Sequence, residues 1–165
     1  MNSMYENEPF AMLQKAWQIS TRQAGLPAVE QRFQSAAGLA LTRPARVVLT
    51  LLSEKGPLHV SDLAAAAGVD VSTMSRTLRH LGESGFVSRE PGEDLRAVRI
   101  SITRAGEEAV TRLLAAGQRI LREVLAGWDA VDRDELSRLM MRFADDFATY
   151  LRGQPSNAHL TGVDR

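Results

Sequence analysis

The spacing of apolar and polar residues between positions 59 and 81 predicts two short helices joined by a tight corner. Apolar residues first recur with the spacing of one buried helix face, at Leu63, Ala64 and Ala67. Gly68 is suited to end this helix because glycine readily takes the positive φ of many helix C-termini. Asp70 follows with a side-chain oxygen that can cap a second helix. The pattern therefore predicts a helix-turn-helix.

The second predicted helix, residues 70–81, has two chemically different faces. Its apolar residues are spaced by four and three, at Met74, Leu78 and Leu81. The opposite face carries small side chains and arginines, at Val71, Ser72, Ser75, Arg76 and Arg79. Small polar side chains let a helix approach the floor of a DNA major groove, and arginine can bind guanine edges or phosphates. The same residues also suit an ordinary solvated helix, so this face alone leaves both interpretations open.

A β-hairpin is predicted directly after the second helix. Gly85 breaks the helix, and residues 86–88 have the composition of a strand. Pro91 and Gly92 favour a tight turn, because proline fixes φ and glycine accepts a positive one. On the returning strand, apolar residues alternate with polar ones, at Val98, Ile100 and Ile102. A helix-turn-helix followed by a two-stranded ribbon is a winged helix-turn-helix.

These segments resemble the MarR family of bacterial transcription regulators in their order and spacing. The resemblance is carried by residues 68–81, 85–87, 94–96 and 102–106. In that family the wing carries an Asp-x-Arg motif whose arginine enters the minor groove, and the resemblance gives this role to Arg96. Asp94 would orient Arg96 through a charge-assisted hydrogen bond.

The helix and the wing together supply the candidate DNA-binding residues. The helix supplies Val71, Ser72, Thr73, Ser75, Arg76, Arg79 and His80, and the wing supplies Arg89, Asp94 and Arg96. His80 is interpreted as a backbone or phosphate contact at the end of the helix.

The charge of the chain does not by itself indicate a nucleic-acid partner. The sequence has 20 basic and 20 acidic residues, so it lacks the strongly basic composition typical of a DNA binder. Residues 54–104 are also balanced in charge. Charges act locally, however, within a Debye length of about 8 to 10 Å at physiological salt. The prediction of DNA binding therefore depends on the outward placement of particular arginines.

Amphipathic helices flank the predicted winged helix-turn-helix on both sides. A long stripe follows the wing, at Val110, Leu113, Leu114, Gly117, Ile120, Leu121, Val124, Leu125 and Trp128. A second stripe, with Asp132 as its predicted cap, contains Leu136, Leu139, Met140, Phe143, Phe147 and Leu151. A chain of this size offers these helices too little partner surface, which favours a homodimer over a monomer whose stripes pack on the first two helices. Twofold symmetry would place two recognition helices about one DNA turn apart, over a palindromic site.

The predicted fold is mostly α with a small β-hairpin wing, a winged helix-turn-helix plus a helical dimerisation lobe. Residues 1–40 and 103–152 would form the dimerisation lobe, and 41–102 the DNA-binding lobe. Residues 153–165 are predicted to be a flexible tail.

A small-molecule effector is a further implication of the resemblance. It would be a small aromatic or phenolic compound bound between the dimer helices and the DNA-binding lobe. Trp17 and Phe33 are the candidate ligand-binding residues; the alternative is that both belong to the core.

Other chemistry is excluded by what the sequence lacks. With no cysteine there are no disulfides, no thiolate metal sites and no thiol-based peroxide sensing. His59, His80 and His159 do not have metal-ligand spacing, and no catalytic or cofactor-binding motif occurs, so we predict no metal, no cofactor and no enzymatic activity. With no long apolar run and no signal-peptide pattern, we expect a cytoplasmic protein without a membrane partner.

The sequence is compatible with two classes of function. The first is a sequence-specific, homodimeric transcription regulator, most simply a repressor whose DNA affinity responds to an effector. The second is a winged-helix module that binds protein and no DNA.

Overall fold

The computed structural model describes residues 9–91 and 98–153, which contain seven α-helices and three short β-strands. In chain order they are α1 (Pro9–Ala24), α2 (Pro27–Ala37), α3 (Arg43–Lys55), β1 (Leu58–His59), α4 (Val60–Ala67), α5 (Val71–Glu83), β2 (Val87–Pro91), β3 (Val98–Ile102), α6 (Arg104–Val124) and α7 (Ala130–Gly153). The prediction of a mostly helical fold with a small wing is confirmed. The chain divides into two units, residues 1–121 and 122–165.

The strands form one antiparallel sheet in the order β1-β3-β2. Leu58 pairs with Ile100 at one edge of β3, and Val87 pairs with Ile102 at the other. The predicted turn at Pro91 is wrong, because Pro91 is the last residue of β2 and pairs with Val98. Proline is tolerated there because a strand end needs no further ladder donor. Gly92 lies outside the described residues.

The predicted apolar face of β3 is only partly present. Ile100 is fully buried, but Val98 is 46 % exposed. Val98 lies at the end of the strand that is paired with Pro91, beyond the reach of the core. Ser101, on the opposite face to Ile100, is also buried. Burial of β3 therefore follows its central place in the sheet more than its alternating sequence.

The core of the first unit lies where α3, α4, α5, β3 and α6 meet. Its largest fully buried side chains are Leu49, Leu52, Leu63, Met74, Leu81, Ile100 and Val48. Burying such a side chain contributes about 1.5 to 3 kcal/mol each. The wing and the helix-turn-helix therefore share one hydrophobic core, which fixes α5 relative to the sheet.

Gly106, in the first turn of α6, lies close to Phe86 and Ile102. A Cβ at this position would collide with the carbonyl oxygen of Phe86 and with Cγ1 of Ile102. Thr103 caps α6, because its Oγ1 accepts from the Gly106 N–H at 3.1 Å. The same hydroxyl donates to the Gly85 carbonyl at 2.6 Å. The segment that follows α5 is thus joined to the start of α6.

The flanking helices expose much of their apolar surface. No side chain of α1 or α7 is buried. The stripe predicted to continue through Trp128 ends with α6 at Val124. Asp129, rather than the predicted Asp132, caps α7, since its Oδ1 accepts from the Asp132 N–H at 2.8 Å. None of the described helices is long and apolar enough to cross a membrane.

Residues 1–8 and nearly all of the predicted tail, 154–165, lie outside the described residues. The division into a dimerisation lobe and a DNA-binding lobe stays a prediction.

Candidate nucleic-acid interface

The corner between α4 and α5 is built as the sequence predicts. Gly68 has φ +66°, and its N–H donates to the Ala65 carbonyl at 3.2 Å. The Val69 N–H donates to the Ala64 carbonyl at 3.1 Å. A side chain at Gly68 would be strained at this φ, so glycine ends α4 and turns the chain toward α5.

Asp70 caps α5 with both of its carboxylate oxygens. Oδ1 accepts from the Thr73 N–H at 2.8 Å and from the Ser72 hydroxyl. Oδ2 accepts from the Thr73 hydroxyl at 2.7 Å. These hydrogen bonds, that of Ser72 first, hold the pKa of the Asp70 carboxyl well below its ordinary value. The carboxylate is therefore ionised at neutral pH.

The two faces of α5 separate as predicted. Met74 and Leu81 are fully buried and Leu78 nearly so. On the other face Val71 is 55 % exposed, and Ser72, Arg76, Arg79 and His80 are also exposed, with Thr73 and Ser75 half-buried.

Arg76 and Arg79 remain available to an external partner. Within residues 9–91 and 98–153, neither guanidinium pairs with a carboxylate. A buried face that anchors the helix and an outer face with two uncommitted guanidiniums is the geometry needed to bind a polyanion.

The wing contributes fewer described residues. Arg89 on β2 is exposed, opposite Ile100 in the ladder. Arg99 on β3 is turned back, and its Nη2 donates to the Pro57 carbonyl at 2.5 Å. Asp94 and Arg96, the predicted wing-tip pair, lie outside the described residues.

A second feature of the first unit is a cavity of about 620 Å³ beside α2, α3 and α6. Its lining is mainly apolar with two guanidiniums, from Phe33, Arg43, Arg46, Val47, Thr50, Leu51, Leu113, Leu114, Gly117, Gln118 and Leu121. Of the two predicted ligand-binding residues, Phe33 lines this cavity. Trp17 is not among the lining residues and is 50 % exposed on α1.

Arg46 is held at the cavity by three partners. Its Nη1 and Nη2 lie 2.5 and 2.9 Å from Oε1 and Oε2 of Glu30. Nη1 also donates to the Leu41 carbonyl at 2.9 Å, and the guanidinium lies 4.6 Å from the centre of the Phe33 ring. The hydrogen bond from Arg46 is the main cause that lowers the pKa of Glu30. Arg43 is exposed and makes no comparable bidentate contact in the described part of the chain.

Glu30, Arg43 and Arg46 were not predicted from the sequence as residues of this cavity and its rim. Glu30 and Arg46 lie on different helices, so no helical spacing relates them. Their pairing depends on the packing of α2 against α3. No group of three His, Asp or Glu side chains in residues 9–91 and 98–153 is placed to hold a metal ion.

Comparison with known proteins settles the family of this chain. The sequence profile of the MarR family matches residues 41–98. An uncharacterised HTH-type transcriptional regulator, Mb0904 of Mycobacterium bovis, is 33 % identical over 102 residues, which are 59 % of this chain and 71 % of that protein. The chain belongs to the MarR family.

Other relatives of this MarR-family chain agree. The uncharacterised HTH-type transcriptional regulator YwoH of Bacillus subtilis is 28 % identical over 58 % of this chain and 70 % of its own length. A MarR family protein from Bacillus stearothermophilus has a TM-score of 0.69 at 20 % identity, covering 86 % of this chain and 98 % of that one. Apo MarR from E. coli has a TM-score of 0.66 at 20 % identity, covering 79 % and 96 %. The winged helix-turn-helix fold is confirmed, and the chain is a MarR-family transcription regulator.

Proposed function

We propose that this regulator is a cytoplasmic homodimer that reads a palindromic DNA site as a repressor, and that a small-molecule effector modulates its affinity. The observation that carries the proposal is the two-faced helix α5. Its inner face is buried in the core, while its outer face exposes Arg76 and Arg79 with no carboxylate partner among the described residues. A rigid helix with an uncommitted cationic face suits the major groove.

The residues of α5 and of the wing are proposed to contact different chemical groups of the DNA. Arg76 is proposed to bind a guanine edge, Arg79 and His80 the phosphates, and Val71 the methyl group of thymine. Ser72, Thr73 and Ser75 allow the helix to approach closely. On the wing, Arg89 is proposed to bind the backbone and Arg96, oriented by Asp94, the minor groove. The remaining alternative, a winged-helix module that binds protein, would not need unpaired guanidiniums on this face.

The homodimer is supported by the apolar surface that each flanking helix exposes. Large exposed side chains are Phe10, Leu13 and Trp17 on α1, Leu121 and Val124 on α6, and Leu139, Phe143 and Phe147 on α7. A monomer rarely leaves so much apolar surface in contact with water. A second copy would cover it and would place two α5 helices about 34 Å apart, one turn of DNA.

The effector is proposed to occupy the cavity at α2, α3 and α6. Phe33 offers an aromatic face, and the exposed guanidinium of Arg43 at the cavity suits an anionic group. A small aromatic or phenolic acid has both parts. Because Trp17 does not line the cavity, we propose the ligand role for Phe33 alone of the two aromatic residues.

Salt-dependent binding to DNA tests the function. In a band-shift titration with DNA from upstream of the gene, we expect the logarithm of affinity to fall linearly with the logarithm of salt concentration, with a slope of about −0.9 for each phosphate neutralised. Arg96→Ala should weaken binding to all sequences, and Arg76→Ala should also relax base preference. Retention of the DNA by both variants at wild-type affinity would instead support the protein-binding alternative. Addition of aromatic acids to the same titration tests the effector.

A further inference from the structure

The hydroxyl groups at the start of α5 already donate their protons to hydrogen bonds within the protein. Ser72 donates its hydroxyl proton to Oδ1 of Asp70, and Thr73 donates to Oδ2 of Asp70 at 2.7 Å. An exposed aspartate is ionised at neutral pH, and a carboxylate only accepts, so both hydroxyls are the donors in these bonds.

The other two hydroxyls of α5 are committed in the same way. Ser75 Oγ donates to the Val71 carbonyl at 2.8 Å, and Thr77 Oγ1 donates to the Thr73 carbonyl at 3.1 Å. A hydroxyl has one proton and two lone pairs. The four side-chain hydroxyl oxygens of α5 can therefore accept further hydrogen bonds without rearrangement, but the hydroxyls cannot donate one.

Because these hydroxyls can only accept a further hydrogen bond, they can bind only the hydrogen-bond donors of DNA. Phosphate oxygens only accept, so they cannot bind these hydroxyls unless a bond within α5 is broken, and the Asp70 carboxylate would repel them. In the major groove, the donors are the exocyclic amino groups of adenine (N6) and cytosine (N4), whereas guanine and thymine present acceptors there. Ser72 is exposed, whereas Thr73, Ser75 and Thr77 are half-buried.

We propose that Ser72 is a specificity-determining residue that accepts a hydrogen bond from the amino group of adenine or cytosine, and that Asp70 is the positioning residue that fixes its polarity. This inference rests on the proposed function. In this arrangement the arginines of α5 donate hydrogen bonds to acceptors of the DNA, and Ser72 accepts one from a base amino group.

Selection from a pool of duplexes with a randomised core tests the inference on the full-length protein. In wild type, we expect one base pair of each half-site to be preferred because of the amino group that Ser72 contacts. Replacing its adenine by purine, or its cytosine by 2-pyrimidinone, removes that amino group from one strand and should weaken the binding of wild type but not of Ser72→Ala. In Ser72→Ala, that preference should fall by about threefold to tenfold, as for the loss of one hydrogen bond, while other positions keep theirs. Ser137→Ala, which removes an exposed serine hydroxyl bonded to the Arg133 carbonyl on α7, is the matched control.

Asp70→Gly tests the positioning role. It removes the carboxylate that accepts the Ser72 proton, so this hydroxyl can rotate and donate to DNA, while glycine at a helix N-cap is only slightly less favourable than aspartate. We expect binding to become insensitive to loss of the amino group at the same base pair, with a melting temperature close to that of wild type as the check on folding.

The outcomes separate the two proposals. If wild type binds no duplex in a salt-dependent way, the proposed function fails and the inference fails with it. If wild type binds and Ser72→Ala keeps every base preference, only the inference is overturned. Equal weakening of wild type and Ser72→Ala by loss of that amino group would overturn it equally.

Discussion

At the residue scale, Glu30 and Arg46 form a bidentate contact between α2 and α3, with side chains that are 32 % and 17 % exposed. This contact lowers the pKa of the Glu30 carboxyl from its ordinary value of 4.5. A carboxyl whose pKa is lower in the folded state than in the unfolded state stabilises the fold when the pH is above the unfolded-state pKa. This contribution is lost as the pH falls through the folded-state pKa. The contribution of Glu30 is therefore complete at neutral pH and declines below about pH 4.5.

Glu30→Gln should lower the free energy of unfolding at pH 7 by about 1 to 3 kcal/mol, because Arg46 loses its charged partner. The variant should also lose less stability than wild type between pH 5 and pH 3. Urea unfolding at several pH values measures both effects. Glu135→Gln is the matched control, since Glu135 also pairs with an arginine, Arg138, but in an exposed position where little change is expected. Equal effects of the two substitutions would contradict the role given to Glu30.

Gly106→Ala should destabilise the fold by about 1 to 3 kcal/mol, because the new methyl group would collide with the backbone of Phe86. Gly117→Ala on the same helix is the control. Its Cβ would lie 3.9 Å from the Phe33 ring, an ordinary contact, so the better helix propensity of alanine should leave stability unchanged or raise it by up to about 1 kcal/mol. Thermal unfolding compares the two. A stable Gly106→Ala protein would show that α6 does not need this close approach.

At the scale of single elements, the inner and outer faces of α5 should separate folding from DNA binding. Met74→Ala should lower the free energy of unfolding by about 2 to 5 kcal/mol, because the side chain is fully buried. Arg79→Ala should change stability by less than about 0.5 kcal/mol. It should nevertheless reduce the salt slope of DNA binding by about 1, as for the loss of one phosphate contact. An unchanged slope would remove Arg79 from the interface.

The elements that could be predicted from sequence are those with local causes. Gly68, Asp70 and the period of α5 act within a few residues, and each is confirmed. The cap of α7 was wrong by three positions because Asp129 and Asp132 are equally suited by type, and only the backbone distinguishes them.

Features that depend on packing between elements could not be predicted in this way. The exposure of Val98 follows from the register of the sheet, and the Glu30 to Arg46 contact from the docking of two helices. For the candidate site, the outward residues of α5 were predictable, whereas Phe33 is the only lining residue of the cavity that was predicted as ligand-binding. The bond from Ser72 to Asp70 depends on side-chain rotamers, which residue spacing does not specify.

At the scale of the whole molecule, the exposed apolar surfaces predict a change of oligomeric state on substitution. Leu139→Glu should convert the proposed homodimer to a monomer and weaken DNA binding, because it places a charge on a face proposed to be covered by the second copy. Since Leu139 is already 46 % exposed in one protomer, the substitution should not unfold it. Light scattering after size-exclusion chromatography gives the mass. Thr149→Glu, a polar position of α7, is the control.

A wild-type mass equal to one chain at micromolar concentration would contradict the homodimer. A dimer that persists in Leu139→Glu would place the interface elsewhere.

The connection between α2 and α3 has a practical consequence for labelling the protein. Arg112 on α6 donates from Nε to the Ala37 carbonyl at 3.1 Å and from Nη2 to the Gly38 carbonyl at 2.7 Å, while Arg46 on α3 donates to the Leu41 carbonyl. Surface loops commonly accept inserted peptides, but this one would lose charge-assisted bonds from two helices at once. An epitope tag or fluorophore is therefore better inserted between α1 and α2, beside Gly25.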